Sequence, residues 1–392
     1  PIARMMLKTK NMLKTVVYGS NWFEDMGFYY LGPVDGHNLE TLCDVLTRAK
    51  ELHRPVFLHV ETQKGKGYSF AEENPGEYHG TSGFDIDTGK SFVSGGTNFS
   101  NEFGLHLTEL AKKDNRICAI TAAMKYGTGL NYFSHAFKEE GRFYDVGIAE
   151  PHAVTFAGGL AANGMLPVFA VYSSFLQRCY DEIIHDLSIE EQHVVIGIDR
   201  AGIVGNDGET HQGLFDVAMI TVYSPATYAE MRWALEQSLY AHTGVCCVRY
   251  PRGGEVSLPE GFDPHKDWSM IHPGKEAVFV TYGRIASEVC KAAQMLAENG
   301  TEVSVLKINR ILPFCEEVLA QIKDAKQILF VEEGMKNGGI GQILGEKLLE
   351  QGYQGRYQLL AIDDCFVSQA TVARAIELSG LDAKSIVRFY EQ

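Results

Sequence analysis

Between residues 117 and 248 the chain repeats one pattern, a short apolar run followed by a longer helical segment. Ile117–Thr121, Tyr144–Val146, Val168–Tyr172, Val194–Ile198 and Val245–Val248 read as strands, with Tyr132–Phe137, Ala153–Ala162, Phe175–His185 and Tyr228–Tyr240 as the intervening helices. Strand–helix alternation of this kind predicts a parallel sheet with helices on its faces. The pattern resumes near Ala277, over Val278–Thr281, Ser287–Glu298, Glu302–Lys307, Gln327–Val331, Gly341–Leu349 and Leu359–Ile362, which predicts another α/β domain.

Ahead of these, residues 1–16 read as a basic amphipathic helix, Leu39–Leu52 as a helix and Val56–Thr62 as a strand, with Lys64-Gly-Lys-Gly-Tyr68 at its carboxyl end. So few strands do not make a sheet, so this piece reads as the tail of a larger domain. Residues 71–98 are polar and have the composition of a linker. The expected division is an incomplete first domain with its linker (1–91), a second domain (92–265) and a third (266–392).

Composition narrows the partners. Lys plus Arg number 35 against 50 Asp plus Glu, a net charge of -15, which argues against nucleic acid and anionic membrane. Ala153–Val171 carries no charge over a length that could span a bilayer, but Asn163-Gly164 and Pro167 break it into helix, turn and strand. The 8 cysteines are scattered without a Cys-x-x-Cys pair and no signal peptide is seen, so reduced thiols in a cytoplasmic protein are expected.

One carboxylate stands where chemistry is expected. In Phe143-Tyr-Asp-Val-Gly-Ile-Ala-Glu150 a strand runs into Pro151, a residue suited to the first helical position, and then into a helix of small apolar residues. Glu150 thus sits at a dry strand-to-helix turn, as a site carboxylate or as a helix cap. Polar residues also gather after three strands: Tyr172-Ser-Ser-Phe-Leu-Gln-Arg178, Asp199-Arg200 through Asp207-Gly-Glu-Thr-His211, and Arg249-Tyr-Pro-Arg252. Parallel strands would send all three loops out of the same sheet edge, where ligands of open α/β sheets bind. The glycines there allow close backbone approach, His211 can carry protons near neutral pH, and the arginines offer planar forks for phosphate. No Walker motif, no strand-borne Gly-x-Gly-x-x-Gly and no zinc spacing is present.

These stretches, together with Thr121-Ala-Ala-Met124, Gly127-Thr-Gly129, Ile184-His-Asp186, Asp207-Gly-Glu-Thr-His-Gln-Gly213, Arg249-Tyr-Pro-Arg-Gly253 and Gly32-Pro-Val-Asp-Gly-His37, resemble the 1-deoxy-D-xylulose-5-phosphate synthase family along essentially the whole chain. The resemblance implies a transketolase-like enzyme, a cytoplasmic homodimer, that uses thiamine diphosphate and magnesium. It joins pyruvate to glyceraldehyde 3-phosphate with loss of carbon dioxide, at the head of isoprenoid, thiamine and pyridoxal synthesis. By the same resemblance Glu150 contacts the cofactor's pyrimidine nitrogen, Phe175 stacks on that ring beside Arg178, and Lys64, Ile148 and Met124 also touch the cofactor. Tyr172, Arg200, one or both of Arg249 and Arg252, Asp207 and His211 belong to the substrate site, with His211 and His79 at the reaction centre.

Three departures accompany it. Nothing before Gly32 resembles the Gly-Asp-Gly region that holds diphosphate and magnesium in the family, so the expected metal ligands are not matched here. The chain is shortened between Thr221 and Tyr223-Ser-Pro-Ala-Thr227, and Pro151 stands where the family has glutamine. A protein of literally these residues is therefore expected to fold, yet bind the cofactor weakly and make no product. A truncated, catalytically inactive form of this enzyme and a different thiamine diphosphate enzyme, such as a transketolase, remain as alternatives.

Overall fold

The computed structural model describes residues 22–79, 83–91, 97–205, 207–214, 221–259, 262–274, 277–363, 365 and 367–392. The expected helix over residues 1–16 and most of the shortened region before Thr221 lie outside them. The chain forms two compact units, residues 1–94 and 95–392.

In the first unit β1 (Tyr29–Asp35) and β2 (Val56–Glu61) pair in parallel, joined by α1 (Leu39–Glu51). Asn38 starts that helix by accepting a hydrogen bond from the Thr41 amide at 3.0 Å. The polar stretch after residue 70 is more ordered than a linker: Ser69–Glu73 is helical and Phe84 bridges Ser91. Tyr68, Tyr78 and Phe84 pack ring to ring there, an apolar kernel that a composition dominated by Gly, Asp and Asn conceals.

The second unit contains two sheets. Its first part comprises α2 (Phe99–Lys113), β3 (Ile117–Thr121), α3 (Asn131–Phe137), β4 (Phe143–Asp145), α4 (Glu150–Ala162), β5 (Leu166–Tyr172), β6 (Val195–Asp199), β7 (Thr221–Tyr223), α5 (Tyr228–Tyr240) and β8 (Cys246–Arg249). The second comprises β9 (Trp268–His272), β10 (Ala277–Tyr282), α6 (Ala286–Glu298), β11 (Val303–Ile308), β12 (Arg310–Leu312), α7 (Glu316–Ile322), β13 (Gln327–Met335), α8 (Ile340–Glu350), β14 (Arg356–Ile362), α9 (Val372–Leu378) and α10 (Ala383–Tyr390). The strand orders are β12-β7-β8-β6-β5-β3-β4 and β14-β13-β10-β11-β9. All pairs are parallel except those of the edge strands β12 and β9, so the α/β expectation holds.

Strand periodicity places the core. Along β5, Val168 and Ala170 face α2 residues Phe99, Phe103 and Leu107, while Phe169 and Val171 face α4 residues Val154 and Ala157. Both faces are covered, which is why the strands read as unbroken apolar runs. Phe175–His185 is not one helix. It breaks into Ser173–Leu176, a 3₁₀ turn, Tyr180–Glu182 and a π-helical stretch at Ile183–Ser188. The start of α5 is tightly specified, with Thr227 and Glu230 forming a reciprocal capping box. Glu230 also receives Lys307 Nζ at 2.5 Å, both side chains 1% exposed, which ties the two sheets together. Among the described residues no helix is long and apolar enough to cross a membrane.

Candidate active site

The ends of β5, β6 and β8 lie side by side: Tyr172 is in register with Asp199, and Ile198 with Arg249. The three polar loops therefore leave from one edge, as parallel pairing requires. Tyr172 and Phe175 stack with ring centroids 5.9 Å apart, and the His211 ring stands edge-on to Phe175 at 5.4 Å and to Tyr172 at 6.4 Å. At one end of this aromatic row the Arg178 guanidinium lies 5.1 Å over Phe175 and its Nη1 donates to Glu150 Oε1 at 2.9 Å. At the other end Arg200 lies 4.0 Å over Tyr172 and pairs with Asp207, whose second oxygen takes Arg252 Nη1 at 2.7 Å. A buried acid, an aromatic row and a cationic cluster thus follow one another along one sheet edge.

Glu150 is the first residue of α4 and its side chain is 3% exposed. Pro151 is therefore second in the helix, still within the turn that needs no amide donor. Unpaired helical amides favour an anion there, and the half-exposed Arg178 supplies the balancing charge. Asp145 fixes the approach to this helix: its Oδ1 accepts from the Ala123 amide at 2.9 Å and the Gly147 amide at 3.1 Å. Gly127 is required for Tyr172, because a Cβ at that position would fall 1.7 Å from the tyrosine oxygen. Arg200 has φ of +58°, a left-handed conformation that is rare outside glycine and concentrates at functional sites.

The other expected residues are placed differently. Arg249 does not join the cluster. It is 3% exposed at the end of β8, its Nη1 and Nη2 reaching Ser224 Oγ and the Gly213 carbonyl at 3.4 Å, with its guanidinium over Tyr282. It is the last residue of the strand and buried, whereas Arg252, three residues on, has left the sheet and is 37% exposed. Met124 packs half-buried on the core, and Ile148 is 79% exposed. Lys64 and His79 are exposed residues of the first unit, in the turn after β2 and beyond the Ser69–Glu73 helix.

Sequence reading missed the brace behind the cationic loops. Glu333 of β13 accepts from the Ile203 amide at 2.6 Å and pairs with Arg284, which also donates to the carbonyls of Ile203 and of Arg252. One buried ion pair of the second sheet thus holds both arginine-bearing loops. Gly202 leaves the room: a Cβ there would lie 2.7 Å from the Glu333 carboxyl.

Two of the displaced ionisable groups bear on the site's protons. Burial, with the charges of Arg200 and Arg252 adding to it, lowers His211 and favours its neutral imidazole. Burial pushes Asp199 up from 3.8 to about 7, against the opposing pull of Ser100 and Arg200. Folding then takes up a proton between those values, so the contribution of Asp199 is full below about pH 4 and is lost as pH rises through 7. Asp199→Asn stays neutral, and at pH 8 is expected to stabilise the fold relative to the native chain by on the order of 4 kcal/mol, seen as a raised melting temperature. At pH 4 it should change little. Melting curves at the two pH values check this, and an equal shift at both would show that Asp199 is not protonated in the fold.

Residues 96–254 match the transketolase pyrimidine-binding domain and residues 266–386 the transketolase C-terminal domain, while residues 1–62 match the 1-deoxy-D-xylulose-5-phosphate synthase family itself. The 1-deoxy-D-xylulose-5-phosphate synthase of Clostridium beijerinckii is 38% identical over 98% of this chain and 63% of its own length. That of Caldanaerobacter subterraneus subsp. tengcongensis is 42% identical, over 97% of this chain and 62% of its own length.

The chain belongs to the 1-deoxy-D-xylulose-5-phosphate synthase family. It spans less than two thirds of the length of these synthases. Among solved structures, a split gene transketolase, described as an inactive beta4 tetramer, superposes with a TM-score of 0.65 at 24% identity, over 75% of this chain and 97% of that one. The transketolase from Leishmania mexicana gives 0.63 at 17% identity, over 76% of this chain and 46% of its own. At such identities these two establish the fold, and the synthase family rests on the sequence relatives.

Proposed function

We propose that the chain carries the pyrimidine-binding and acceptor-binding parts of a thiamine diphosphate-dependent synthase that makes 1-deoxy-D-xylulose 5-phosphate from pyruvate and glyceraldehyde 3-phosphate, an early step towards isoprenoids. The observation that carries this reading is the buried Glu150 carboxylate at the start of α4, held by Arg178 against the Phe175 ring. An aromatic face beside a dry carboxylate fits an aminopyrimidine, whose ring stacks and whose nitrogen takes a hydrogen bond. Thiamine diphosphate supplies, when bound, the electron sink for pyruvate decarboxylation. Glu150 holds the proton at the pyrimidine nitrogen, and Phe175 with Arg178 orients the ring. His211, neutral and edge-on to both rings, is placed to move a proton, and Arg200 and Arg252 hold the acceptor's phosphate.

Magnesium is a separate matter. Among the described residues no group of three or more His, Cys, Asp or Glu could hold a metal ion, and no seat for it is assigned. A second copy of the chain is proposed as the partner: α4 is apolar around nearly its whole circumference, yet His152, Thr155 and Gly159 are exposed on one face beside Ile148.

The acceptor assignment predicts a split response. Arg200→Ala and Arg252→Ala should each weaken use of glyceraldehyde 3-phosphate by about 1.5–3 kcal/mol, a rise of roughly ten- to a hundredfold in its KM, with the KM for pyruvate nearly constant. Product formation from the two substrates by a full-length synthase carrying these residues, with thiamine diphosphate and magnesium added, gives both constants. Equal rises for both substrates would place the arginines elsewhere.

A further inference from the structure

We infer that Asp207 is a built-in counter-ion that occupies the anion seat between Arg200 and Arg252 and is displaced when a phosphate monoester binds. The inference rests on reading the two arginines as phosphate holders. It reverses the expected part of Asp207, from a contact that helps hold the substrate to a competitor for its place.

The geometry points there directly. One carboxylate spans both guanidinium groups, Oδ2 facing Arg200 and Oδ1 taking Arg252 Nη1 at 2.7 Å. Two oxygens on one small anion, each engaged by a separate arginine, is the contact set a phosphoryl group would make. The pair is partly dry, with side-chain exposures of 18% for Asp207, 20% for Arg200 and 37% for Arg252, so an uncompensated pair of like charges would be costly. Asp207 supplies that compensation. A single carboxylate charge balances only one of two arginines, whereas a dianionic phosphate balances both. The chain beside the acid is open on its Gly208 side. Asp207 stands between Gly205 and Gly208, with φ of +75° and +83°, conformations that glycine adopts without strain, and a Cβ at Gly208 would touch nothing within 4 Å. The preceding stretch is held, through the Ile203 amide on Glu333 and the Val204 amide on Gln212 at 2.7 Å. Selectivity follows: an entering anion must outbid a carboxylate already in place, which a monocarboxylate does poorly and a phosphate monoester does well.

Titration with inorganic phosphate, followed calorimetrically on the whole protein without substrate, tests this. Asp207→Asn, which keeps the shape but removes the charge, should tighten phosphate binding about tenfold, and Asp207→Ala should do the same. Melting curves establish that each variant is folded. Unchanged or weaker phosphate binding in the folded variants would overturn the counter-ion role. The companion titration of Arg200→Ala separates the two layers: loss of phosphate binding there sustains the phosphate reading whatever Asp207 does. If Arg200→Ala binds phosphate as the native protein does, the seat itself is misassigned and the inference falls with it.

Discussion

In a complete version of this enzyme, Glu150→Gln is expected to lower formation of 1-deoxy-D-xylulose 5-phosphate at least about a hundredfold, the scale of a lost acid–base contact, while leaving the fold intact. The substitution keeps the shape of the side chain and removes its charge and its capacity to hold a proton. Two local interactions weaken with it. The Arg178 pair is lost, but that arginine is half-exposed and regains water, and the favourable charge at the helix start disappears. Together these cost roughly 1 kcal/mol. The informative measurement is turnover beside a melting curve. Retained turnover contradicts the assigned role, and collapse of the fold assigns Glu150 to architecture.

A larger effect on stability is expected at Lys307→Met. Lys307 and Glu230 are both 1% exposed, and their 2.5 Å contact joins β11 to the start of α5. Removing the lysine leaves a carboxylate buried without its cation, a loss of about 3–5 kcal/mol. The double variant Lys307→Met, Glu230→Gln should recover most of it, since a glutamine can still complete the capping box with Thr227. Urea midpoints of the native, single and double variants give the comparison. A loss under about 1 kcal/mol in the single variant would mean that Glu230 is compensated by other means.

What could be read from the sequence divides along physical lines. Tyr228–Tyr240 and Ile117–Thr121 were placed to the residue because a capping box and a fully buried strand are local signals. The strands β7, β9 and β12, three to five residues long and specified by neighbours far along the chain, are not read from the sequence, and neither are the seven-residue β1 and the fifteen-residue α2, so shortness is not the whole reason. The same limit applies to the site. Parallel strands predicted that the loops of Tyr172, Arg200 and Arg252 would meet, and they do. No periodicity distinguishes Arg249, buried at the strand's end, from Arg252, partly exposed beyond it, since both belong to one short motif. The Arg284–Glu333 brace left no trace in the sequence, because its meaning lies in carbonyl and amide groups of loops some 80 and 130 positions away.

The antiparallel pairing of β12 with β7 bears on how such a chain can vary over generations. Arg310–Leu312 follows the first five-stranded-sheet strands in sequence yet completes the edge of the seven-stranded sheet. A recombination breakpoint near residue 260, which looks harmless in a map of matched families, would exchange the outermost strand of the neighbouring sheet along with everything downstream. The incoming sequence would have to present compatible backbone to Tyr223 and Val222, and a cation for Glu230. Residues on the two sides of that breakpoint would therefore have to be inherited together for the seven-stranded sheet to keep its edge and Glu230 its cation.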